Sequence, residues 1–517
     1  MSLFSRYTDN RVGFNLKGFL GGVVKNNNNN NNNNTSTPHV YTQDTITTDP
    51  KYLEKVLESW RKSPERSIMI DGERYYVGNH DILNRQRMAI GASGELEPVN
   101  NVVNNKLIDN QYKKLVDQKT NYVLGKPLTI STEKDEYLVE LNKIFNKNMH
   151  RKLKILAQYS IDGGIAWLYP YFDEEGKFDV MVFPSYEICP VWKDKSHTKL
   201  VCAIRFYKEE VLTENGGVTV IEHADVFTIQ GVDHYIVKGN AFTEAEIKHS
   251  AYIYSEDMTY NWGRLPIIPF KYNTNEIPLI VNVKSLQDAL NEALSDFQNN
   301  MQEDFRQTIL ILQNYDGQDL GEFRQNLMTY GAVKVTTIDG VKGGLDSLKV
   351  EVNSSNYQAI LMQLKRAIIE NGRGFDAKEE RMDGDPNQMN IESMYTDIDL
   401  DVNGMESEFQ ASFEELRWFV NKAIFKEFGI DYSDEPVEFV FNRDIFINED
   451  AKISSCVNSV GIISNKTIIS RHPWVNDVKR ELNQIEEEKK QEMEEMEALN
   501  NSFGAQDSNV KNTLYDD

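Results

Sequence analysis

The densest run of side chains able to do chemistry lies between Asp383 and Asp401. Asp397, Asp399 and Asp401 alternate there and can be read as the metal-holding carboxylates of a metal-dependent nucleic-acid enzyme. No matching Glu/Lys constellation accompanies them. Asp399-x-Asp401-x-Asn403-Gly404 also approaches a calcium loop. It departs where Gln410 stands in place of the bidentate Glu, and where Glu406 replaces an apolar residue. The other chemistries have weaker footholds. The eight histidines form no HxxxH or HxH pair, which makes each a structural histidine. There is no GxxxxGK[ST] phosphate loop, and Gly125-Lys126-Pro127 lacks the upstream glycine and reads as a helix stop. No GxSxG and no nucleophilic cysteine context occurs. Cys189, Cys202 and Cys456 are far apart with no CxxC, which argues against a disulfide framework or a zinc site and for folding in a reducing cytoplasm.

The element that must carry the acidic run is a helix. From Ile391, apolar residues recur at Tyr395, Ile398, Val402, Met405, Phe409, Phe413, Leu416, Val420 and Ile424, in steps of three or four. The stripe passes through the calcium-like segment unbroken and meets no proline before Gly429, a plausible cap. The helix would be about 55 Å long, with Gly404 as its expected kink. Phe409, Phe413, Leu416 and Val420 form its packing ridge.

Before it, residues 1–48 read as a disordered arm holding an unbroken asparagine run, Asn26 to Asn34. Tyr52, Val56 and Trp60 share a helix face. Ser67–Ile70 and Arg74–Val77 read as strands around an Asp71-Gly72 hairpin turn. Asn105–Leu124 reads as helix, as do roughly 136–146 and 149–161. From Ala166 to Tyr272, short alternating runs broken by turn residues predict an antiparallel sheet unit. Val283, Leu286, Leu290, Ala293, Leu294, Phe297 and Met301 predict a helix. A small α/β segment follows, with strands at 308–312 and 331–336 around a helix at 320–327. A helix over 356–371 and a polar loop, 372–390, lead into the long helix. A strand at 436–441 and helices at 449–461, 465–471 and 475–499 complete the pattern, and 500–517 reads as a disordered tail.

Composition narrows the class. The chain has 517 residues, 40% hydrophobic and 26% charged, enough for several structural units. No apolar run is long enough to span a membrane, and the N-terminus lacks a signal-peptide pattern. Net charge is −24, with 80 acidic against 56 basic residues, so a free subunit should not grip duplex DNA.

Four local motifs, in order, resemble a known family. Tyr75-Tyr76-x-Gly78-x-His80-x-Ile82 comes first. Asn104-Asn105-Lys106-Leu107 with Val116-Asp117-Gln118-Lys119-x-x-Tyr122-x-x-Gly125-Lys126-Pro127 follows. Then come Leu320-x-Glu322-Phe323-Arg324-x-Asn326-Leu327 with Tyr330-Gly331-Ala332-Val333-Lys334-Val335, and last Phe441-Asn442-Arg443 with Ile463-Ser464-x-x-Thr467-Ile468 and Pro473-Trp474-Val475. Together, over about residues 50–490, they resemble the portal proteins of siphophage-type tailed phages.

The resemblance implies an α+β portal fold. A mixed α/β wing would comprise 49–282 and 391–445, the second part with a very long kinked helix. Stem helices would be 283–304 and 355–371, with a small α/β clip at 305–354. A tunnel loop would lie at 372–390 and a helical crown at 446–500. It also implies a homo-oligomeric ring, a dodecamer, at one capsid vertex of the virion, assembled in the host bacterial cytoplasm and not in a membrane. The implied partners are the terminase large subunit, the major capsid and scaffolding proteins, a head-completion or tail adaptor protein, and double-stranded DNA in transit. No cofactor and no enzymatic activity are implied. An acidic wall suits a conduit, because phosphate contacts repeated around a ring would add up to a permanent grip. Contact with DNA would then fall to Arg373, Lys378 and Arg381 of the tunnel loop, unless they only balance Asp376, Glu379, Glu380 and Asp383. The portal of a defective prophage or gene-transfer particle would read the same way.

Overall fold

The computed structural model describes residues 49–90, 94–99, 103–212, 216–254, 258–303, 309–313, 344–348, 354–376, 388–443, 449–475 and 478–512. The expected helix at 320–327, the strand at 331–336, the arm, and Lys378 and Arg381 lie outside them.

Helices α1 (Pro50–Arg61) and α2 (Pro64–Tyr76) open the described chain. The second replaces the expected hairpin. Ser63 caps it by accepting from the Arg66 amide at 3.1 Å, and Pro64 presets its first turn. Gly72 is no turn residue: a Cβ there would lie 1.9 Å from the Asp162 carbonyl oxygen, so glycine is what lets two helices touch backbone to backbone. A small pair, β1 (Met88–Ile90) and β2 (Leu96–Pro98), leads to an extended strap, and α3 (Gln111–Leu124) begins only after it. Asn105–Asn110 were expected in that helix. They stay out of it because the Asn105, Leu107 and Asp109 amides bond side chains elsewhere, and because Asn110 caps α3 by accepting from the Lys113 amide.

Next come β3 (Thr129–Thr132), α4 (Asp135–Ile144) and α5 (Lys147–Gly163). Strands β4 (Ile165–Phe172) and β5 (Phe178–Phe183) form a sheet of order β13-β4-β5, where β13 is Ile268–Lys271. A five-stranded antiparallel meander is built from β6 (Ile188–Trp192), β7 (Leu200–Leu212), β8 (Val218–Thr228), β9 (Gly231–Lys238) and β10 (Ala241–Ser250). Its third strand, β8, runs unbroken through Val218–Thr228. Leu53 and Leu57 of α1 cover it, packing with Ile204, Phe206 and Val226. A short pair, β11 (Ile253–Tyr254) and β12 (Thr259–Tyr260), precedes β13.

Helix α6 (Ile280–Glu303) and α7 (Ser354–Asn371) pack together, Phe297 and Asn300 meeting Tyr357. Between them in sequence, β14 (Ile309–Gln313) pairs antiparallel with β15 (Gly344–Leu348). Helix α8 (Gln388–Phe428) runs 41 residues and is continuous through Gly404, where a kink was expected. Strand β16 (Val437–Val440) returns to pair with β3. Three helices follow: α9 (Glu449–Asn458), α10 (Asn465–Arg471) and α11 (Val478–Asn512), the last extending past the Asn500 boundary set by composition. No proline interrupts that stretch, so helix propagation has nothing to stop it.

The main core joins α3, α4, α5, β4, β13, α8 and β16. Its centre is aromatic. Phe270 meets Phe409 and Phe413 edge-on at 5.0 and 5.4 Å, and Phe413 stacks on Phe439 at 5.0 Å.

Candidate functional site

Three features of the described residues combine unusual chemistry with a structural junction. They are the seam between α6 and the strap, the start of the 372–390 loop, and the acidic half of α8.

Along α6, Gln287, Asn291, Ser295 and Asn299 recur every fourth residue and are all fully buried. Each accepts from a backbone amide of the strap. Asn299 Oδ1 takes the Asn105 N–H at 2.7 Å, Ser295 Oγ the Leu107 N–H at 2.9 Å, and Asn291 Oδ1 the Asp109 N–H at 3.0 Å. Gln287 Oε1 takes both Gln111 and Tyr112 N–H at 3.0 Å, and its amide donates to the Asp109 carbonyl at 2.8 Å. Asn291 Nδ2 donates to His80 Nδ1 at 2.8 Å, while His80 Nε2 lies 3.0 Å from the Tyr75 carbonyl. The tautomer is thereby fixed with the proton on Nε2. A buried amide without a partner is costly, so the strap is extended where it can reach this row. Sequence reasoning missed the ladder. The legible signal was the Gln-x3-Asn-x3-Ser-x3-Asn spacing beside the apolar stripe, of which Met301 remains about half exposed.

The loop leaves α7 through Gly372-Arg373-Gly374. Arg373 has φ 49, and a Cβ on Gly374 would stand 2.3 Å from the Leu115 side chain. Gln118 Nε2 donates to the Phe375 carbonyl at 2.7 Å, and Lys119 Nζ to the Arg373 carbonyl at 3.2 Å. Phe375 then packs on Tyr395 of α8 at 4.8 Å. Of the three basic loop residues, the structure places Arg373 at this anchored root. Its side chain is 59% exposed and lies 3.8 Å from Asp401.

The carboxylates of α8 point to different partners. Asp401 takes Lys119 Nζ at 2.5 Å and the Tyr272 hydroxyl. Asp399 takes Tyr122 OH at 2.6 Å and Arg443 Nη1 at 2.7 Å, and Arg443 also holds Glu406 at 2.7 Å and Asn403. Burial pushes the fully enclosed Lys119 ammonium below its usual range, while Asp401 pulls the other way. Burial and the adjoining Asp399 raise the Tyr122 hydroxyl. Among the described residues, no three His, Cys, Asp or Glu side chains converge as metal ligands. The calcium-loop and nuclease readings both fail on this geometry: the carboxylates sit on a continuous helix, already bonded to a lysine, an arginine and tyrosines. Phe409, Phe413, Leu416 and Val420 are fully buried in the chain's own core and leave no surface for a neighbour.

Among the described residues the arrangement is a braced helix pair and an anchored loop root. The family profile described as "Phage portal protein, SPP1 Gp6-like" matches residues 61–495. The portal protein of Bacillus phage SPP1 is 27% identical over 467 residues, 89% of this chain and 90% of its own. The portal protein of Clostridium phage phiCD119 is 28% identical over 439 residues, covering 82% and 93%. A solved structure, "Neck of native GTA particle computed with C12 symmetry", overlays 69% of this chain and 88% of its own at 13% identity with a TM-score of 0.36, too distant to carry an argument. The chain belongs to the SPP1 Gp6-like family of phage portal proteins. Among the described residues no helix is long and apolar enough to cross a membrane.

Proposed function

We propose that this chain is one subunit of a dodecameric ring at a single capsid vertex, through which phage DNA is packaged and later ejected. The observation that carries the reading is the family match across residues 61–495. The geometry agrees with it. In this reading, α6 and α7 are the stem, the segment carrying β14 and β15 is the clip, and 372–390 is the tunnel loop. Residues 49–282 and 391–445 form the wing, and 446–500 the crown. The acidic balance of −24 lets DNA slide rather than stick. Lys378 and Arg381 are the loop's DNA contacts, and Arg373 joins them from the root.

The clip docks the terminase large subunit, whose hydrolysis of nucleotide drives translocation, and later the head-completion or tail adaptor protein. Capsid and scaffolding proteins meet the ring while it nucleates the head in the host cytoplasm. The test is native mass spectrometry with negative-stain averaging of the purified chain. Closed rings of about a dozen subunits around a central hole are expected from the multivalent geometry. Monomers alone, with or without scaffolding protein, would count against it.

A further inference from the structure

We infer that Gln287, Asn291, Ser295 and Asn299 are positioning residues that lock α6 in one axial register against the strap at 105–112. The lock is a property of the single chain. Its consequence rests on the reading above: it would fix the height of the stem and clip relative to the wing.

The argument starts from two periods. Four residues of helix advance about 6.0 Å and two residues of extended chain about 6.6 Å. Side chains at every fourth helix position therefore stay in step with every second strap amide, as Asn299, Ser295, Asn291 and Gln287 do with Asn105, Leu107, Asp109 and Gln111. Such a match could be a sliding ratchet or a lock, and the ends of the row decide between them. Four positions before Gln287 stands Val283, fully buried and without an acceptor. Four positions after Asn299 stands Glu303, whose side chain carries a charge. Sliding one rung one way sets Val283 against the Gln111 and Tyr112 amides, which orphans Tyr112 and leaves Gln111 only the Asp109 carbonyl. Sliding the other way carries the Glu303 carboxylate into the buried place of Asn299. Either slide also takes Asn291 away from His80.

The observed register alone gives the Asn105, Leu107, Asp109, Gln111 and Tyr112 amides acceptors in the row. The apolar stripe of α6 cannot enforce this, because apolar contact is non-directional. Ion pairs hold the two sides of the seam to their other neighbours, Asp296 of α6 to Arg85 at 2.9 Å and Asp109 of the strap to Lys365 of α7 at 2.7 Å. Load on the helix pair from moving DNA would thus pass into the body through directional bonds.

The test uses the full-length chain, whose three native cysteines are all buried. Nitroxides are placed at exposed Lys147→Cys on α5 and half-exposed Met301→Cys near the end of α6, and labelled chain is diluted with unlabelled chain. Pulsed electron resonance should give one narrow intrachain distance. In the Asn291→Ala/Ser295→Ala/Asn299→Ala background a second population should appear, displaced by up to about one rung, 6 Å. Ser295→Thr, which keeps the hydroxyl, should retain the single distance, whereas the isosteric Ser295→Val should broaden it. An unchanged narrow distance in the triple variant, with the fold confirmed by circular dichroism, overturns the lock. So does a doubled distance in the unaltered chain. Failure to form rings with these distances intact would sink the portal reading and leave the lock standing.

Discussion

Helix α8 buries Phe409, Phe413, Leu416 and Val420 completely, and α6 buries Gln287, Asn291, Ser295 and Asn299 just as completely, yet the two seams obey different physics. The α8 seam is aromatic and aliphatic, and its neighbours Phe270, Phe439 and Phe441 offer surface rather than directed bonds. Its contribution scales with the area taken from water. The α6 seam gains little per bond, because each replaces a bond to water. What it gains is selectivity: any displacement leaves buried amides unpaired. Bulk stability and register are thus supplied by different helices.

Removing bulk should give the largest effect. Phe413→Ala deletes a ring in contact with Phe145, Phe270, Phe439 and Phe441. A loss of about 3–5 kcal/mol is expected, read as a lower denaturant midpoint. A loss under 1 kcal/mol would mean the seam collapses around the void and contributes less than its burial implies. The bond between α3 and α8 comes next. Lys119→Met leaves Asp401 near the core with only Tyr272 and the distant Arg373 guanidinium. Breaking a buried pair from one side costs about 3–5 kcal/mol, and the exposed edge of Asp401 should place this variant at the low end. Recovery of most of the loss in Lys119→Met/Asp401→Asn would identify the orphaned carboxylate as the cause.

The ladder should be quieter in stability than in register. Ser295→Ala removes the hydroxyl with little change of volume and orphans the Leu107 amide, for a loss of about 1–3 kcal/mol. Hydrogen exchange should accelerate over 105–112 while the α8 seam keeps its protection. Equal acceleration in both regions would show that they unfold as one unit and that the contrast between them has no energetic content.

The same contrast explains what was legible beforehand. The α8 stripe could be read from its steps of three and four because an apolar row at helical spacing has one common meaning. A polar row at the same spacing usually means a wet face, so Gln287 to Asn299 passed unnoticed although they are the better buried set on α6. The strap was read as helix because Leu107, Ile108, Leu115 and Val116 share a stripe with it, while the amides that decide its conformation answer to residues more than 170 positions away. Ser67–Val77 imitated a hairpin around Asp71-Gly72, and only the approach of Asp162 reveals why glycine is there. The fates of Asp399 and Asp401 were equally hidden. Lys119 lies 282 positions from Asp401, so no local motif could show that the carboxylate was already taken.

The smallest and most selective effect should come from His80, through which acid can reach the polar seam but not the apolar one. The ring is fully buried, stacks on Tyr75 at 4.3 Å, and accepts at Nδ1 from Asn291. A proton on Nδ1 would face the Asn291 donor. Burial holds the ring below its ordinary value of 6.5, against smaller opposing pulls from the Tyr75 carbonyl and Asp288, and with a further push down from Arg74. The unfolded chain therefore takes up a proton that the native state resists. The stability His80 confers is complete above about pH 6.5 and declines as pH falls from there toward its depressed native value. Asp162 runs the other way: burial raises it to about 8, so its contribution is fully present below the ordinary carboxylate value and is lost as pH rises through about 8. The decisive quantity is then the difference between the unaltered chain and His80→Gln, followed by denaturant midpoints from about pH 7.5 to 5. It should shift in favour of His80→Gln on the acid side, while the deficit of Phe413→Ala stays level with pH. A difference that does not move with pH would mean that Asn291 turns to accommodate the proton, and that the ladder holds its register without the histidine.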